Sequence, residues 1–418
     1  MYKKVELKNG LELITAPIEG TKTATVFVMI GVGSKNEERS NNGISHFLEH
    51  VFFKGTEKRP DTLTISSELD SIGADFNAFT TKEFTGFWVK VDSSRIESAI
   101  DILSDMLQNS KFDSNEIDRE KGVIIEEINM YQDNPMMYIE DVFESCLYGD
   151  TPAGREIIGT KENITNFKRK DFIDYIKNQY SSKNIKICVA GNLGDKSGDL
   201  IEKYFSKLNN FNPKAKLKTT ENQKEPKVKI HYKDIEQANL ALGVRTFPIE
   251  HKDEIILKLL SIILGGSMSS RLFISLRERS GLAYYVRTQA EFYSDTGYLT
   301  TMAGVPANKA DEAIQIIFDE YKKMKEELVL EEELRRVKDM IKGKSIIQLE
   351  LSDNVANWYA KQAVIRKSIS TPEEYFKKLE EVTARDIKRV ANEVFVNKGL
   401  NLAVIGPFKD KKFDIQIN

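Results

Sequence analysis

A pattern that occurs twice is the strongest constraint on how this chain of 418 residues can fold. Residues 168–191 and residues 383–406, which lie 215 positions apart, share the same layout. Each begins with an aspartate near a helix start, continues as an amphipathic helix and ends in an apolar strand that stops at a glycine, Gly191 or Gly406. The repeat predicts that one structural unit is used twice in the chain.

A second match supports this duplication. Residues 73–84 and 281–292 lie 208 positions apart and share a glycine, a threonine, a glutamate and a phenylalanine at equivalent places. The small difference between the two spacings is easily absorbed in loops. The polar, proline-containing stretch 209–226 reads as a linker, so we predict one domain over 1–208 and a homologous domain over 227–418.

Strands and helices cluster along each half and do not alternate strictly. This order favours an α+β fold: two homologous domains, each a mostly antiparallel sheet with helices packed on it. Apolar runs predict strands over 25–31, 84–91, 185–190, 240–244, 298–303 and 400–405. Helical periodicity predicts helices over 43–54, 64–72, 95–108, 114–130, 171–179, 254–264, 309–327 and 331–350.

The composition disfavours several classes of function. A formal net charge of −3 lacks the basic excess of a nucleic-acid-binding surface. No stretch approaches the roughly 18 apolar residues of a membrane span, and the charged segment 1–10 does not resemble a signal peptide. Two cysteines cannot build a disulfide framework, so we expect a reducing, cytoplasmic location. From the charge and the lack of an apolar span, we expect no nucleic-acid partner and no membrane partner.

The chain has four histidines, and two of them stand in one short motif, His46-Phe47-Leu48-Glu49-His50. We expect a helix there, with Asn42 as its N-cap and Gly55 at its end. On a helix, His46 and His50 project from one face, and Glu49 lies beside them. Two neutral imidazoles suit Zn²⁺, and a neighbouring carboxylate can act as a general base, as in inverted zincin motifs.

A catalytic zinc needs a third protein ligand, and the predicted helix 114–130 offers carboxylates for it. Glu120 and Glu127 are seven residues apart and share a helical face, whereas Glu126 is turned about 100° away from Glu127. One of the paired carboxylates would bind the metal and the other would accept a hydrogen bond from a ligand. Sequence spacing alone does not choose between Glu126 and Glu127, and a solvated acidic face is the commoner fate of such residues.

Four segments together resemble one known family. HFLEHVFFKGT (46–56), IGADFNAFTTKEFT (72–85) and REKGVIIEEI (119–128) resemble the insulinase/pitrilysin family of inverted zinc metallopeptidases. LGGSMSSRLFISLRERSGLAYYV (264–286) is similar to the second domain of its short, processing-peptidase-like members. The resemblance spans nearly the whole chain.

The resemblance implies roles for the residues of the first half. His46, His50 and Glu127 would be the ligands of one Zn²⁺ per chain, Glu49 would be the general base, and Glu120 would support the site.

The resemblance also implies where a substrate would bind. Asn77, Ala78 and Phe79 would belong to an edge strand that takes the substrate backbone as an added strand. Arg277 and Tyr284 would contact the substrate carbonyl and the developing oxyanion from a partner chain. Because one chain carries both sets of residues, a homodimer is expected.

The function implied is a zinc-dependent endopeptidase that hydrolyses unfolded peptides in a chamber formed by two chains. The alternative is a relative that is catalytically silent and serves as a structural or peptide-binding protein.

Overall fold

The structure is a computed structural model that describes residues 2–194, 197–220 and 222–417. Its strands are β1 (Lys3–Glu6), β2 (Glu12–Pro17), β3 (Thr23–Ile30), β4 (Asp75–Thr80), β5 (Thr85–Asp92), β6 (Ile185–Gly191), β7 (Lys227–Tyr232), β8 (Gln237–Thr246), β9 (Tyr285–Phe292), β10 (Gly297–Pro306) and β11 (Leu400–Gly406).

The helices lie between and after these strands. They are α1 (Ile44–Val51), α2 (Thr62–Ser71), α3 (Ile96–Asn109), α4 (Ser114–Asp133), α5 (Pro135–Tyr148), α6 (Lys161–Asn166), α7 (Arg169–Gln179), α8 (Ser197–Phe205), α9 (Glu254–Gly265), α10 (Ala310–Glu326), α11 (Glu331–Gln348), α12 (Ser352–Ile365), α13 (Pro372–Glu381) and α14 (Ala384–Val394). A π-helical segment spans Phe273–Arg279. No helix in the described ranges is both long and apolar enough to cross a bilayer.

The chain forms two compact units, and each contains one sheet. The first unit comprises Met1–Ile128, Glu156–Leu217 and Ser345–Thr371, and the second comprises Asn129–Arg155, Lys218–Lys344 and Pro372–Asn418. In the described part of the first unit the strand order is β1-β2-β6-β3-β5-β4, and in the second it is β7-β11-β8-β10-β9. All neighbouring strands are antiparallel except the parallel pairs β2–β6 and β7–β11.

The two sheets confirm the predicted α+β fold and its duplication. Leaving out β1, each sheet places its five strands in the same order, with its first strand at one edge and its third at the other. The strands β6 and β11 occupy equivalent positions, and their bounds differ by the predicted 215 residues. The edge strands β4 and β9 follow glycines that both have a φ of +62°, Gly73 and Gly281.

The compact units differ from the contiguous domains expected over 1–208 and 227–418, because each unit includes a helix from the other half of the sequence. The first unit includes α12, on which Ala356, Tyr359 and Ala360 pack with side chains of β2, β3 and β6. The second includes α5, on which Ile139, Phe143 and Leu147 pack with β8, β10 and β11. One apolar face of each sheet is therefore covered by a helix that comes from the other half of the chain.

Candidate metal centre

The helix α1 carries the histidine motif, and a buried glutamate caps it. Asn42 does not cap the helix as expected; the N-cap residue is Gly43, whose φ of +102° suits glycine. The carboxylate of Glu37 accepts hydrogen bonds from the backbone N–H groups of Gly43 and Ser45, both at 2.8 Å, and from Nδ2 of Asn42 at 3.0 Å. These bonds satisfy N–H groups that a helix start leaves without partners.

The burial pattern of α1 fixes which way the motif faces. Phe47, Leu48 and Val51 are buried on one face of the helix. The ring of Phe47 packs edge-on against Phe172, with centroids 4.9 Å apart. His46, Glu49 and His50 therefore project together from the less buried face.

Two imidazoles and one carboxylate converge at this face. Nε2 of His46 lies 3.7 Å from Oε1 of Glu127, and Nε2 of His50 lies 3.6 Å from Oε2 of the same carboxylate. One ligand atom from each of the three residues lies within 4.8 Å of the others. These separations exceed a hydrogen bond but match ligands of one tetrahedral ion, because two atoms each about 2.1 Å from zinc lie about 3.4 Å apart.

The helix α4 supplies two carboxylates to the site, Glu127 and Glu120, and they make different contacts. Glu127 faces the imidazoles, whereas its neighbour Glu126 is exposed. Oε1 of Glu120 lies 2.9 Å from Nδ1 of His50, and Oε2 of Glu120 lies 2.6 Å from Nζ of Lys54. An N–H on Nδ1 of His50 leaves the lone pair of Nε2 free for a metal, so Glu120 can orient this ligand.

His46 has a different environment from His50. Its Nδ1 atom is buried and has no hydrogen-bond partner within the described residues. Burial, and to a lesser degree the nearby His50, lowers the pKa of His46 to about 3. Its imidazole is therefore neutral at physiological pH, as a zinc ligand must be.

The remaining groups titrate as members of one cluster. Burial raises the pKa of Glu49 and of Glu127 above the ordinary value of a glutamate. Burial alone would lower the pKa of His50, but its bond to Glu120 and the negative charges of Glu120, Glu127 and Glu49 raise it. The set of two imidazoles and a carboxylate, with a further carboxylate beside them, is the donor chemistry that Zn²⁺ prefers.

The edge strand β4 runs next to α1 in the first unit. Phe76 stacks on Phe53, which follows α1, with ring centroids 6.3 Å apart. Ala78, two residues on, lies on the same face of the strand. The side chain of Phe79 points to the opposite face, where it contacts Phe27 and Phe84.

Arg277 and Tyr284 lie together in the second unit. Nη1 of Arg277 donates a hydrogen bond of 2.9 Å to the backbone carbonyl oxygen of Tyr284. The guanidinium of Arg277 also stacks over the ring of Phe273, 5.1 Å from its centroid. Tyr284 is 74% exposed. The two residues thus form one surface feature of this unit.

Comparison with known families identifies this architecture. The family model described as insulinase (peptidase family M16) matches residues 13–161, and the model described as the peptidase M16 inactive domain matches residues 166–341. The chain belongs to the insulinase family. Its first matched segment contains the whole histidine and glutamate cluster, and the inactive-domain segment contains Arg277 and Tyr284.

Several relatives of this insulinase-family chain carry a protease name. A Bacillus subtilis protein named as an uncharacterized zinc protease, YmxG, is 33% identical over 97% of this chain and 98% of its own length. A Rickettsia felis protein, also named as an uncharacterized zinc protease, is 34% identical over 96% of this chain and 97% of its own. The crystal structure of a protease from Helicobacter pylori superposes with a TM-score of 0.92 at 26% identity, over 97% of this chain and 99% of that one.

Three residues around the candidate metal centre of this insulinase-family chain were not predicted from the sequence. They are Glu37, which caps α1; Lys54, which contacts Glu120; and Thr80, whose Oγ1 donates a hydrogen bond of 2.6 Å to Oε2 of Glu49. Thr80 alone carried a signal, because it lies two residues beyond Ala78 on a predicted strand and so shares its face. Glu37 and Lys54 look like ordinary charged residues in the sequence.

Proposed function

We propose that this chain is a zinc-dependent endopeptidase. The single observation that carries the proposal is the convergence of Nε2 of His46, Nε2 of His50 and both oxygens of Glu127, with Glu49 on the same helical face as the imidazoles. Membership of a peptidase family and the zinc protease names of its relatives support the same function.

His46, His50 and Glu127 would hold the metal. A zinc ion bound by them would act as a Lewis acid toward the scissile carbonyl and would lower the pKa of an adjacent water. Glu49 takes a proton from the water as its oxygen attacks the carbonyl carbon, and then gives that proton to the amine as the C–N bond breaks. The burial that raises the pKa of Glu49 makes it a stronger base than an exposed glutamate.

The edge strand β4 supports an extended peptide as the substrate. Within the described residues it pairs with β5 alone, at the edge of its sheet, so its other side can take an added strand. The backbone N–H of Ala78 donates to Oδ1 of Asn77 at 2.8 Å, a local bond that a substrate carbonyl can replace. An added strand requires an extended backbone, and this requirement favours unfolded peptides over folded proteins. Phe79 would contribute through its backbone, since its side chain packs on the sheet.

Two chains would complete the active site as a homodimer that encloses a chamber. Arg277 and the exposed Tyr284 of one chain would reach the substrate bound at β4 of its partner and would stabilise the oxyanion. The support for this arrangement is the resemblance of residues 264–286 to the second domain of the processing-peptidase-like subgroup.

The decisive experiment measures hydrolysis of a quenched fluorescent peptide together with the zinc content of the protein. We expect turnover by the purified protein, loss of turnover on treatment with a chelator, and recovery when zinc is added back. Glu49→Gln should retain zinc and lose hydrolysis, whereas Glu126→Gln, an exposed change on α4, should retain both. Bound zinc and bound peptide without turnover in the wild type would contradict the proposal and favour the peptide-binding alternative.

Mixing two inactive variants tests whether the site is shared between chains. Glu49→Gln and Tyr284→Phe homodimers would each lack one required group at both sites. After subunit exchange, half of the dimers would be mixed, and each would contain one intact site, so activity should recover to about a quarter of the wild-type level. If native mass spectrometry shows that subunits exchange but peptide hydrolysis does not recover, Glu49 of one chain and Tyr284 of the other do not form a shared site.

A further inference from the structure

The hydroxyl group of Thr80 makes a direct contact with the proposed general base. Oγ1 of Thr80 lies 2.6 Å from Oε2 of Glu49, which is the length of a strong hydrogen bond to a carboxylate. Within the described residues this is the one hydrogen bond to the Glu49 side chain that the structure contains. Because a glutamate has three rotatable side-chain bonds, a single fixed partner strongly restricts where its carboxylate lies.

We propose that Thr80 is a positioning residue, which holds Oε2 of Glu49 and leaves Oε1 as the oxygen that takes the proton. This inference rests on the proposed endopeptidase function and assigns a role to a residue outside the histidine motif. It also links two parts of the site, since Thr80 is the last residue of β4, the strand proposed to receive the substrate. The base is thus aligned by the same strand that aligns the peptide.

The backbone around Thr80 is held from two sides, as a positioning role requires. On one side Thr80 pairs with Thr85 of β5 in the antiparallel register. The turn that follows is closed by a bond from the N–H of Thr81 to the carbonyl oxygen of Phe84. The loop before α1 holds the same turn, since the N–H of Ser34 donates to the carbonyl oxygen of Thr81 at 3.1 Å.

These backbone bonds do not involve the hydroxyl of Thr80, so the side chain can be changed without breaking the strand. Valine has nearly the same shape as threonine and a high preference for strands, which makes Thr80→Val a test of the hydroxyl alone. Serine keeps the hydroxyl and loses the methyl group. A matched control is Thr15→Val, the same substitution in β2, which β6, β3 and β5 separate from β4 in the sheet.

The experiment measures kcat and KM for a quenched peptide with zinc-loaded wild type and the three variants. We expect Thr80→Val to lower kcat by about ten- to a hundredfold, the usual cost of losing a supporting hydrogen bond, with KM within about threefold of wild type. Thr80→Ser should recover most of kcat, and Thr15→Val should match wild type. All four proteins should bind the same amount of zinc.

Two results would overturn the inference while the endopeptidase function stands: a kcat for Thr80→Val within about twofold of wild type, or an equal loss in Thr80→Ser and Thr80→Val. If the wild type itself hydrolyses nothing, the proposed function fails, and crystal structures of wild type and Thr80→Val still decide the contact. We expect one conformation of the Glu49 side chain in the wild type and several in Thr80→Val. One unchanged conformation in both would contradict the positioning role.

Discussion

Leaving out β1, the two sheets have the same order of five strands, yet the helix that follows the second of these strands along the chain differs completely in chemistry. In the first unit β3 leads to α1, with the sequence ISHFLEHV, which presents two imidazoles and a carboxylate. In the second unit β8 leads to α9, EIILKLLSIILG, most of whose apolar side chains are buried in the core of that unit. A duplicated scaffold thus carries a candidate metal centre on this helix in one copy and buried apolar side chains on the equivalent helix in the other, and this agrees with the inactive-domain description of the second.

The largest expected effect on zinc binding and hydrolysis comes from removing the third proposed ligand, in contrast to a change on the equivalent helix of the second unit. We expect Glu127→Gln to lose zinc and to lower peptide hydrolysis by more than about a thousandfold, because an amide oxygen is a much weaker zinc ligand than a carboxylate. Lys258→Gln, an exposed change on α9, should leave zinc content and activity unchanged. Atomic absorption and the peptide assay measure both quantities. Normal zinc content in Glu127→Gln would refute the ligand assignment.

Removing a large apolar side chain from α5 should destabilise the second unit, and removing one from α12 should destabilise the first. Phe143 on α5 is fully buried in the second unit, and Tyr359 on α12 is nearly buried in the first. Truncating either to alanine should cost about 3–5 kcal/mol of unfolding free energy.

The two tryptophans, Trp88 and Trp358, both belong to the first unit and report on it alone. In urea titrations Tyr359→Ala should lower the midpoint of the tryptophan fluorescence transition, and Phe143→Ala should lower the midpoint seen by far-ultraviolet circular dichroism. If neither midpoint moved, these helices would not be part of the cores assigned to them.

The helices α5 and α12 also show which parts of the fold could not be predicted from the sequence. Local patterns predicted β3, β5, β6 and their counterparts, because apolar runs bounded by polar turns are visible in the sequence. The helix α12 and the bounds of α5, of which only a helix at Cys146 was predicted, were missed, and so was the fact that each packs in the unit of the other half. Their hydrophobic clusters bring together residues far apart in the chain, such as Phe143 with Ala241 and Tyr359 with Phe27, and no local periodicity encodes such pairing.

The candidate site was more predictable than its surroundings. The spacing of His46, Glu49 and His50 within one helix determines their common face, so the sequence suffices there. Spacing alone did not choose between Glu126 and Glu127; the family resemblance implied Glu127, and in the structure Glu127 is the one that faces the imidazoles. The contacts of Lys54 with Glu120 and of Thr80 with Glu49 are tertiary contacts that only the structure shows.

Weakening the support of one ligand should have a smaller effect than removing a ligand. Glu120→Gln keeps the shape of the side chain but removes the charge that faces Nδ1 of His50 and Nζ of Lys54. We expect the zinc affinity to fall by about ten- to a hundredfold, measured by competition with a fluorescent chelator. Glu116→Gln, which removes an exposed pair with Arg119 on the same helix, is the control. An unchanged affinity in Glu120→Gln would remove Glu120 from the support of His50.

The smallest expected effect compares two carboxylates that cap helices in different surroundings. Glu37 caps α1 from a buried position, and burial raises its pKa from 4.5 to about 7. Asp386 completes the capping box of α14 at the surface, where the hydrogen bonds that it accepts from the N-cap residue Thr383 lower its pKa. The two groups must therefore affect stability with opposite signs as the pH changes.

For Glu37 the folded state binds the proton more tightly than the unfolded state, so stability falls as the pH rises from about 4.5 to about 7 and is level above that. For Asp386 the stabilisation is present above the ordinary aspartate pKa and is lost as the pH falls through the lowered value. Thermal unfolding at pH 5 and pH 8 should show a smaller pH-dependent change in Tm, by a few degrees, in Glu37→Gln than in wild type. Asp386→Asn should leave that difference unchanged, since Asp386 stays ionised throughout this interval. An identical pH dependence in Glu37→Gln and wild type would mean that the α1 cap is already ionised in the fold, and that burial does not distinguish the two capping carboxylates.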